Sequence, residues 1–213
     1  MLSGLLWGCS DGASRVSQTV AGPAVSTGTE SSTASAMGIT PDDAALALTS
    51  FSFEDAESQY VVHDHRSDAA LVQAAGEALA RGVSGPELWA ATWIWVNEGF
   101  DPAPLLPLLA DADASIRVMA ATGLIARGRS EGFAPLIDEL SNESMLVGQE
   151  PPTAAWAAAA ESLVRFTGVA ANGPPFDADA TRRALAQQRW RTWLDDNQAS
   201  LTFNSVEGQW HTG

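Results

Sequence analysis

The residues best suited to metal chemistry are two histidines that flank an aspartate, His63, Asp64 and His65. On an extended segment, side chains two positions apart point to the same side, so both imidazoles could face one ion. A stable site also needs a third ligand. Nearby carboxylates that could supply it are Glu54, Asp55 and Glu57. Because the sequence singles out none of them, we expect no metal site, with a small metal-binding sensor that uses His63 and His65 as an alternative.

Catalytic motifs of other kinds have no counterpart in the sequence. No serine follows the pattern of a nucleophile elbow, and Cys9 lies outside the predicted fold. Most glycines fall singly at predicted helix ends and form no phosphate-binding loop. Asp195 and Asp196 are adjacent, and adjacent residues on a helix point apart. We therefore expect a protein without enzymatic activity and without a cofactor.

Three tryptophans in one predicted helix, Trp89, Trp93 and Trp95, could form a stacking surface for a ligand or part of the core. Aromatic residues at helical spacing usually pack inward, which favours the core for Trp89 and Trp93. Trp95 falls on a different face of the same helix. It is therefore our candidate residue for contact with a partner.

Cys9 is the only cysteine, which excludes a disulfide within one chain. The residues up to it, Leu5, Leu6, Trp7, Gly8 and Cys9, resemble a bacterial lipobox, whose cysteine becomes lipidated. The segment that follows, to about position 39, is rich in Ser, Thr and Gly and too polar to bury a core, which is typical of a flexible tether. We expect a lipid-anchored protein of the cell envelope, on the periplasmic or outer-membrane side, with a cytoplasmic protein as the alternative.

Composition narrows the classes of partner. Hydrophobic residues make up 46% of the 213-residue chain and charged residues 17%, which is typical of a globular protein. The 11 basic residues are all arginine and stand against 26 acidic ones, so the net charge is −15. Such a chain repels phosphate backbones and anionic membranes, so we expect no nucleic acid partner.

No stretch reaches about 18 consecutive apolar residues, so membrane contact is expected only through a lipid on Cys9. The negative net charge would attract a basic partner protein, and it also favours the solubility of the protein by itself.

Apolar residues at three- and four-residue spacing, bounded by capping residues and glycines, predict a series of helices from Thr40 onward. The predicted helices cover about residues 40–49, 67–82, 84–96, 101–109, 116–128, 130–140, 156–168 and 179–197. Residues 51–66 are predicted as a connector, and residues 201–210 alternate weakly enough to be an extended segment. We expect residues 1–39 to be the anchor and tether and residues 40–213 to form one helical domain.

Internal alignments indicate a repeated pair of helices. Residues 120–124 align with residues 159–163 at a shift of 39 positions, and residues 80–82 align with residues 126–128 at a shift of 46. Both shifts lie near the roughly 40 to 47 residues of known two-helix repeats. The sequence therefore predicts a degenerate helical repeat.

The segment from Leu105 to Leu140 resembles the HEAT-repeat family. Its leucine-rich first helix, its Asp-containing turn and the pairs Ile116-Arg117 and Ala120-Ala121 follow that family's pattern. The resemblance implies an all-α fold, a short α-solenoid of antiparallel helix pairs with a repeat core at about residues 67–168. It also implies structural roles for Asp113, which would cap the second helix, and for Arg117, which would pair along the stack. In the next repeat Trp156 stands in the place of Arg117, so the pairing of arginines along the stack would be interrupted in that repeat.

The last predicted helix, at about residues 179–197, contains a Trp-rich stretch similar to the C-terminal cap of small bacterial envelope proteins with HEAT-like repeats. A cap of this kind hides the unpaired apolar face of an end repeat. The resemblance as a whole implies a non-enzymatic scaffold or adaptor that binds another protein, and the net charge of −15 would attract a basic one. A helical accessory subunit or lyase-like HEAT protein that acts on a bound cofactor is the alternative within the family.

Overall fold

The computed structural model describes residues 38–149, 151–174 and 177–213, and the predictions about Cys9 and the tether lie outside them. Within these residues the protein is mostly helical, as predicted, with one small antiparallel sheet of two strands. The elements are α1 (Pro41–Thr49), α2 (Ala56–Asp64), α3 (Ala69–Arg81), α4 (Gly85–Glu98), α5 (Ala114–Ile125), α6 (Phe133–Glu139), α7 (Ala155–Thr167), α8 (Ala180–Asn197), β1 (Leu201–Asn204) and β2 (Gln209–Thr212). Each of the described helices is too short or too polar to span a membrane.

Local sequence signals set many of the helix ends. Thr40 precedes α1 and its hydroxyl accepts a hydrogen bond from the backbone N–H of Asp43 at 3.2 Å, while Pro41 occupies the first turn, where its missing N–H costs nothing. Helices α3 and α7 both end at a glycine with positive φ, Gly82 at 69° and Gly168 at 71°. That left-handed conformation turns the chain away from the helix axis and favours glycine.

Two predicted segments differ from the structure. The connector at 51–66 contains the nine-residue helix α2, which Asp55 caps by accepting a hydrogen bond from the N–H of Glu57 at 3.0 Å. Conversely, residues 101–109 form two short 3-10 helices, Ala103–Leu105 and Pro107–Ala110, instead of an α-helix. Prolines at positions 104 and 107 explain this difference, because each removes a backbone donor that a continuous α-helix would need.

Neighbouring helices along the chain pack on one another and bury two main apolar clusters. The first cluster lies among α1 to α4, and the second lies among α5 to α8 and the hairpin. Helix α5 joins them: it contacts α4 on one side and α6 and α7 on the other, and nearly all of its residues are buried. This central position explains why its residues other than Arg117 are apolar or small.

The hairpin of β1 and β2 closes the far end of the second cluster. Phe203 pairs with Trp210 across the strands, and the Trp210 indole N–H donates to the carbonyl of Ile125 at 2.9 Å. Trp210 is buried against Phe133 of α6, with ring centroids 5.2 Å apart. The extended segment predicted at 201–210 is therefore present, and it covers the C-terminal end of α5.

Candidate partner-binding surface

An open groove lies between the first two helices. Its apolar floor is formed by Ile39, Leu46, Ala47 and Val61, and it encloses about 600 Å³ of space that is continuous with solvent. Carboxylates form part of its walls, namely Asp43, Asp55 and Glu57. We call this feature the acidic groove. Because it is open to solvent, it suits a segment of another protein better than an enclosed small molecule.

Hydrogen bonds hold the start of the acidic groove in place. The backbone N–H of Ile39 donates to the carboxylate of Asp68 at 3.1 Å, and the Nδ1 atom of His65 hydrogen-bonds to the same oxygen at 2.9 Å. The contact with His65, followed by that with Ile39, holds the pKa of Asp68 below its ordinary value. At the other wall, the Ser58 hydroxyl donates to the carbonyl of Asp55 at 2.9 Å. The carboxylates and the apolar floor are thus presented by a fixed backbone.

The groove region is strongly acidic and carries exposed apolar side chains. Residues 38–65 contain six carboxylates and no lysine or arginine. Leu46 on α1 is 64% exposed and Tyr60 on α2 is 65% exposed, in contrast to the buried leucines of the core. Exposed apolar residues beside charges of a single sign are characteristic of a surface that binds an oppositely charged partner.

The two residues to which the HEAT resemblance assigns structural roles lie at one corner of the fold. Asp113 is the N-cap of α5 and accepts a hydrogen bond from the N–H of Ser115 at 2.8 Å. The Arg117 guanidinium donates to Glu139 of α6 at 2.5 Å and to the carbonyls of Asp111 and Ala112 at 2.8 and 2.9 Å. The hydrogen bond to Glu139 raises the pKa of Arg117 above its ordinary value. Arg117 therefore joins the turn before α5 to the end of α6.

A second arginine, which the sequence did not single out, lies beside Trp156. Arg183 of α8 places its guanidinium 5.4 Å from the centre of the Trp156 ring, forms an ion pair with Glu143 and donates to the carbonyl of Ala178 at 2.7 Å. It is buried, whereas Leu185 of the same helix is 52% exposed. The outer side of α8 therefore includes Leu185, whereas Leu194 of the same helix packs against the second cluster.

Trp95, the candidate partner contact, is half-buried rather than projecting into solvent. Its ring covers two glycines so closely that a Cβ atom at either Gly76 or Gly99 would come within 2.6 Å of it. Its indole N–H donates to the carbonyl of Asp101 at 2.7 Å. Trp95 thus packs α4 onto α3 and fixes the chain that leaves α4, and its predicted role in partner binding stays a prediction.

His63 and His65 are not brought together. The metal hypothesis assumed an extended segment, but His63 lies within α2 and His65 is its C-cap, and residues two apart on a helix do not face each other. The His63 ring stacks on Trp93 with centroids 5.9 Å apart, while His65 binds Asp68. No group of three or more potential metal ligands occurs in the part of the chain that the structure describes.

Trp89 and Trp93 lie in the core, as their spacing predicted, at 6% and 5% exposure. Their rings are almost parallel, with centroids 6.4 Å apart, and Phe51 stacks on the other side of Trp89 at 5.6 Å. Two adjoining cavities lie against this stack and share both tryptophans as wall residues. The sequence indicated the burial of the rings but gave no sign of the space beside them.

Comparison of the chain with family models, with curated proteins and with solved structures finds no match. The class of the protein therefore rests on its geometry. It is a mostly helical protein with a small C-terminal sheet, and one of its surface features is a groove with an apolar floor and carboxylate walls.

Proposed function

We propose that the protein is a non-enzymatic scaffold or adaptor that binds a basic segment of a partner protein in the acidic groove. The observation that carries the proposal is the coincidence of an apolar floor, carboxylate walls and a complete lack of lysine and arginine between residues 38 and 65. A helix with leucines on one face and basic residues beside them would place its apolar side chains against Leu46 and Val61. Its charges would then lie close to Asp43, Asp55 and Glu57.

The two kinds of contact have different parts in this proposal. Burial of apolar surface supplies most of the affinity, because it removes that surface from water. The carboxylates attract basic segments from a distance, repel acidic ones and fix the register of the bound segment. Leu46, which lines the groove, would provide the anchor, because it already exposes most of its surface to solvent.

A short HEAT-like solenoid of antiparallel helix pairs is the architecture that we propose for this scaffold. Successive contacts of α3 with α4, α5 with α6 and α6 with α7 support it, since a solenoid packs each unit on the next. The hydroxyls of Thr122 on α5 and Ser162 on α7 are hydrogen-bonded at 3.0 Å, and these residues lie 40 positions apart. That separation agrees with a two-helix period, because equivalent helices of neighbouring repeats lie side by side.

The proposal predicts that the full chain binds an amphipathic helical peptide of about 18 residues that carries leucines on one face and lysines or arginines on the other. Fluorescence anisotropy of the labelled peptide measures its Kd. We expect the triple variant Asp43→Asn, Asp55→Asn and Glu57→Gln to weaken binding at least tenfold, because three charges leave the walls while the helix cap at position 55 is kept. Leu46→Ala should weaken binding severalfold through loss of apolar contact.

The matched control removes three carboxylates that are exposed elsewhere, in the variant Glu161→Gln, Asp195→Asn and Asp196→Asn. It changes the net charge by the same amount and should alter the Kd less than threefold. Equal losses in the two triple variants would show that only the overall charge attracts the peptide, which contradicts a specific groove. Failure of the unmodified protein to bind the basic peptide, or equal binding of an acidic version, would also contradict the proposal.

We further propose that the scaffold is held at the cell envelope by a lipid on Cys9. The lipobox-like residues before Cys9 and the polar segment after it support this location. The proposal predicts that the protein, expressed from its own chromosomal locus, incorporates radiolabelled palmitate and is recovered with the membrane fraction. Cys9→Ser should abolish both results. Membrane recovery without any label, or a label that survives Cys9→Ser, would contradict anchoring through this cysteine.

A further inference from the structure

We propose that the basic segment bound by the acidic groove is the outer face of α8 in a second copy of the same chain. This inference rests on the function proposed above for the groove, and it names the partner. Arg182, Leu185 and Arg189 of α8 are exposed and follow one another at three- and four-residue spacing, so they lie on one side of the helix. We call them the basic stripe. The contact would join the acidic groove of one molecule to α8 of the next.

The two surfaces carry opposite charges. Residues 180–191 contain four arginines and no carboxylate, although the whole chain has only 11 arginines. The groove region, residues 38–65, contains six carboxylates and no lysine or arginine. The Arg182 side chain is 57% exposed, and its ion pair with Asp177 is long, at 3.8 Å, and open to solvent. Arg189 is exposed and forms no ion pair with another described residue, so both guanidinium groups can bind carboxylates of a second molecule.

Apolar side chains lie between the charges on both surfaces. Leu185, between the two arginines of the basic stripe, is 52% exposed, and Leu46, which lines the acidic groove, is 64% exposed. Contact between these leucines would remove apolar surface of both molecules from water. The arginines on either side of Leu185 would then face the carboxylate walls of the groove. The basic stripe thus offers the combination of leucine and basic residues that the groove requires.

Two observations favour a second copy over a contact within one molecule. Residues 1–37 contain one arginine and two acidic residues, so they offer no basic segment to the groove. The basic stripe belongs to a helix that is held in the second apolar cluster by the fully buried Trp190, whereas α1 and α2 pack in the first cluster. Helix α8 would have to leave its cluster to reach the groove of its own molecule. The intact fold can therefore offer α8 only to the groove of another molecule.

The net charge of −15 opposes this association mainly at longer distances. At physiological ionic strength charges are screened over about 8 Å, so the overall repulsion is weakened more than the direct contacts between arginines and carboxylates. Because the two surfaces are different, the contact is head-to-tail, and its repetition gives a ring or a chain of molecules.

Sedimentation velocity of the full chain tests the proposal, in a reducing buffer of physiological ionic strength so that Cys9 cannot join two copies through a disulfide. We expect the sedimentation coefficient of the unmodified protein to rise with its concentration. The double variant Arg182→Gln and Arg189→Gln, called the α8 variant, should raise the Kd of self-association at least about tenfold. Leu185→Ala should raise this Kd severalfold through loss of apolar contact.

The matched control, Arg81→Gln with Arg129→Gln, removes two arginine charges from other parts of the surface. It changes the net charge by the same amount as the α8 variant and should alter the Kd of self-association less than about threefold. Equal effects of the two double variants would overturn the proposal, because overall charge alone would then govern the association. A sedimentation coefficient of the unmodified protein that does not rise with concentration would overturn it as well.

A mixture of two variants tests the pairing of the two surfaces. The α8 variant keeps the acidic groove, and the triple variant Asp43→Asn, Asp55→Asn and Glu57→Gln keeps the basic stripe. Each should associate weakly by itself, whereas the mixture should form one-to-one complexes of both variants with about the Kd of the unmodified contact. A mixture that associates no better than the separate variants would rule out this pairing.

Peptide binding separates this inference from the proposed function. The α8 variant should bind the basic amphipathic peptide at least as tightly as the unmodified protein, because its groove is intact and not occupied by a second copy. If it binds the peptide while the unmodified protein stays monomeric, the groove has a different partner and only the present inference fails. Self-association that both variants weaken, without peptide binding, would support the contact between copies and contradict the binding of other basic segments. Self-association that the triple variant does not weaken would overturn docking in the groove.

Discussion

Arg117→Ala is expected to lower the free energy of unfolding by about 3 kcal/mol. Its partner Glu139 has a side chain that is only 7% exposed, and it also accepts a hydrogen bond from the side-chain amide of Asn142 at 2.6 Å. Removal of the guanidinium would leave a carboxylate at this buried position without its counter-charge, which costs more than the ion pair itself contributes. The carbonyls of the turn before α5 would lose their donor at the same time. Urea denaturation followed by circular dichroism measures the change.

The matched control for this prediction is Arg191→Ala. Arg191 also forms an ion pair between helices, with Asp138 at 2.8 Å, but both side chains are more than half exposed. Exposed pairs contribute about 0 to 1 kcal/mol, so this variant should be close to the unmodified protein. Replacing both members of the buried pair, Arg117→Met with Glu139→Leu, should recover at least half of the loss. Arg117→Ala and Arg191→Ala with equal stabilities would show that burial does not distinguish the two pairs.

Trp190→Ala should have the largest effect on stability in α8, a loss of about 4 kcal/mol. Trp190 is fully buried in the second apolar cluster and meets Trp193 edge to face, with ring centroids 5.3 Å apart. Its removal would leave a cavity between α8 and the rest of the cluster that the surrounding helices cannot fill completely. The loss of stability would be measured as lower midpoints of both thermal and denaturant unfolding.

Leu185→Ala provides the comparison within the same helix. Because Leu185 is 52% exposed, its truncation should change the free energy of unfolding by less than about 0.5 kcal/mol. If Trp190→Ala were as stable as Leu185→Ala, α8 would not act as a cap on the core. The difference between the two variants therefore tests the capping role directly.

The parts of the fold that were predicted correctly are those with strong local signals. Helices α3 and α7 have clear apolar spacing and end at glycines, and α8 begins at the capping residue Asp179. The local signals were misleading where two effects compete. In α2 the apolar pattern is weak, so its helical state depends on packing against the first cluster, whereas leucine spacing at 105–109 is overridden by proline.

The candidate site was less predictable than the fold. The sequence indicated an acidic protein and a possible basic partner, but not that Leu46 and Tyr60 would stay exposed beside the carboxylates. Their exposure follows from how α1 and α2 lie against α3 and α4, which is a tertiary property. The two cavities beside Trp89 and Trp93 were unpredictable for the same reason, since the position of Gly148 over Trp89 depends on a loop that follows α6.

The hydrogen bond from Trp210 to Ile125 has a consequence for how the protein is made. This bond joins residues 85 positions apart, and Trp210 belongs to the second apolar cluster. On the ribosome, the first cluster has all its residues once α5 has emerged, so it can fold while translation continues. The second cluster must wait for the closing hairpin. During that interval the nascent chain exposes apolar surface around α5 and α6, and this is the stage at which a chaperone would be needed.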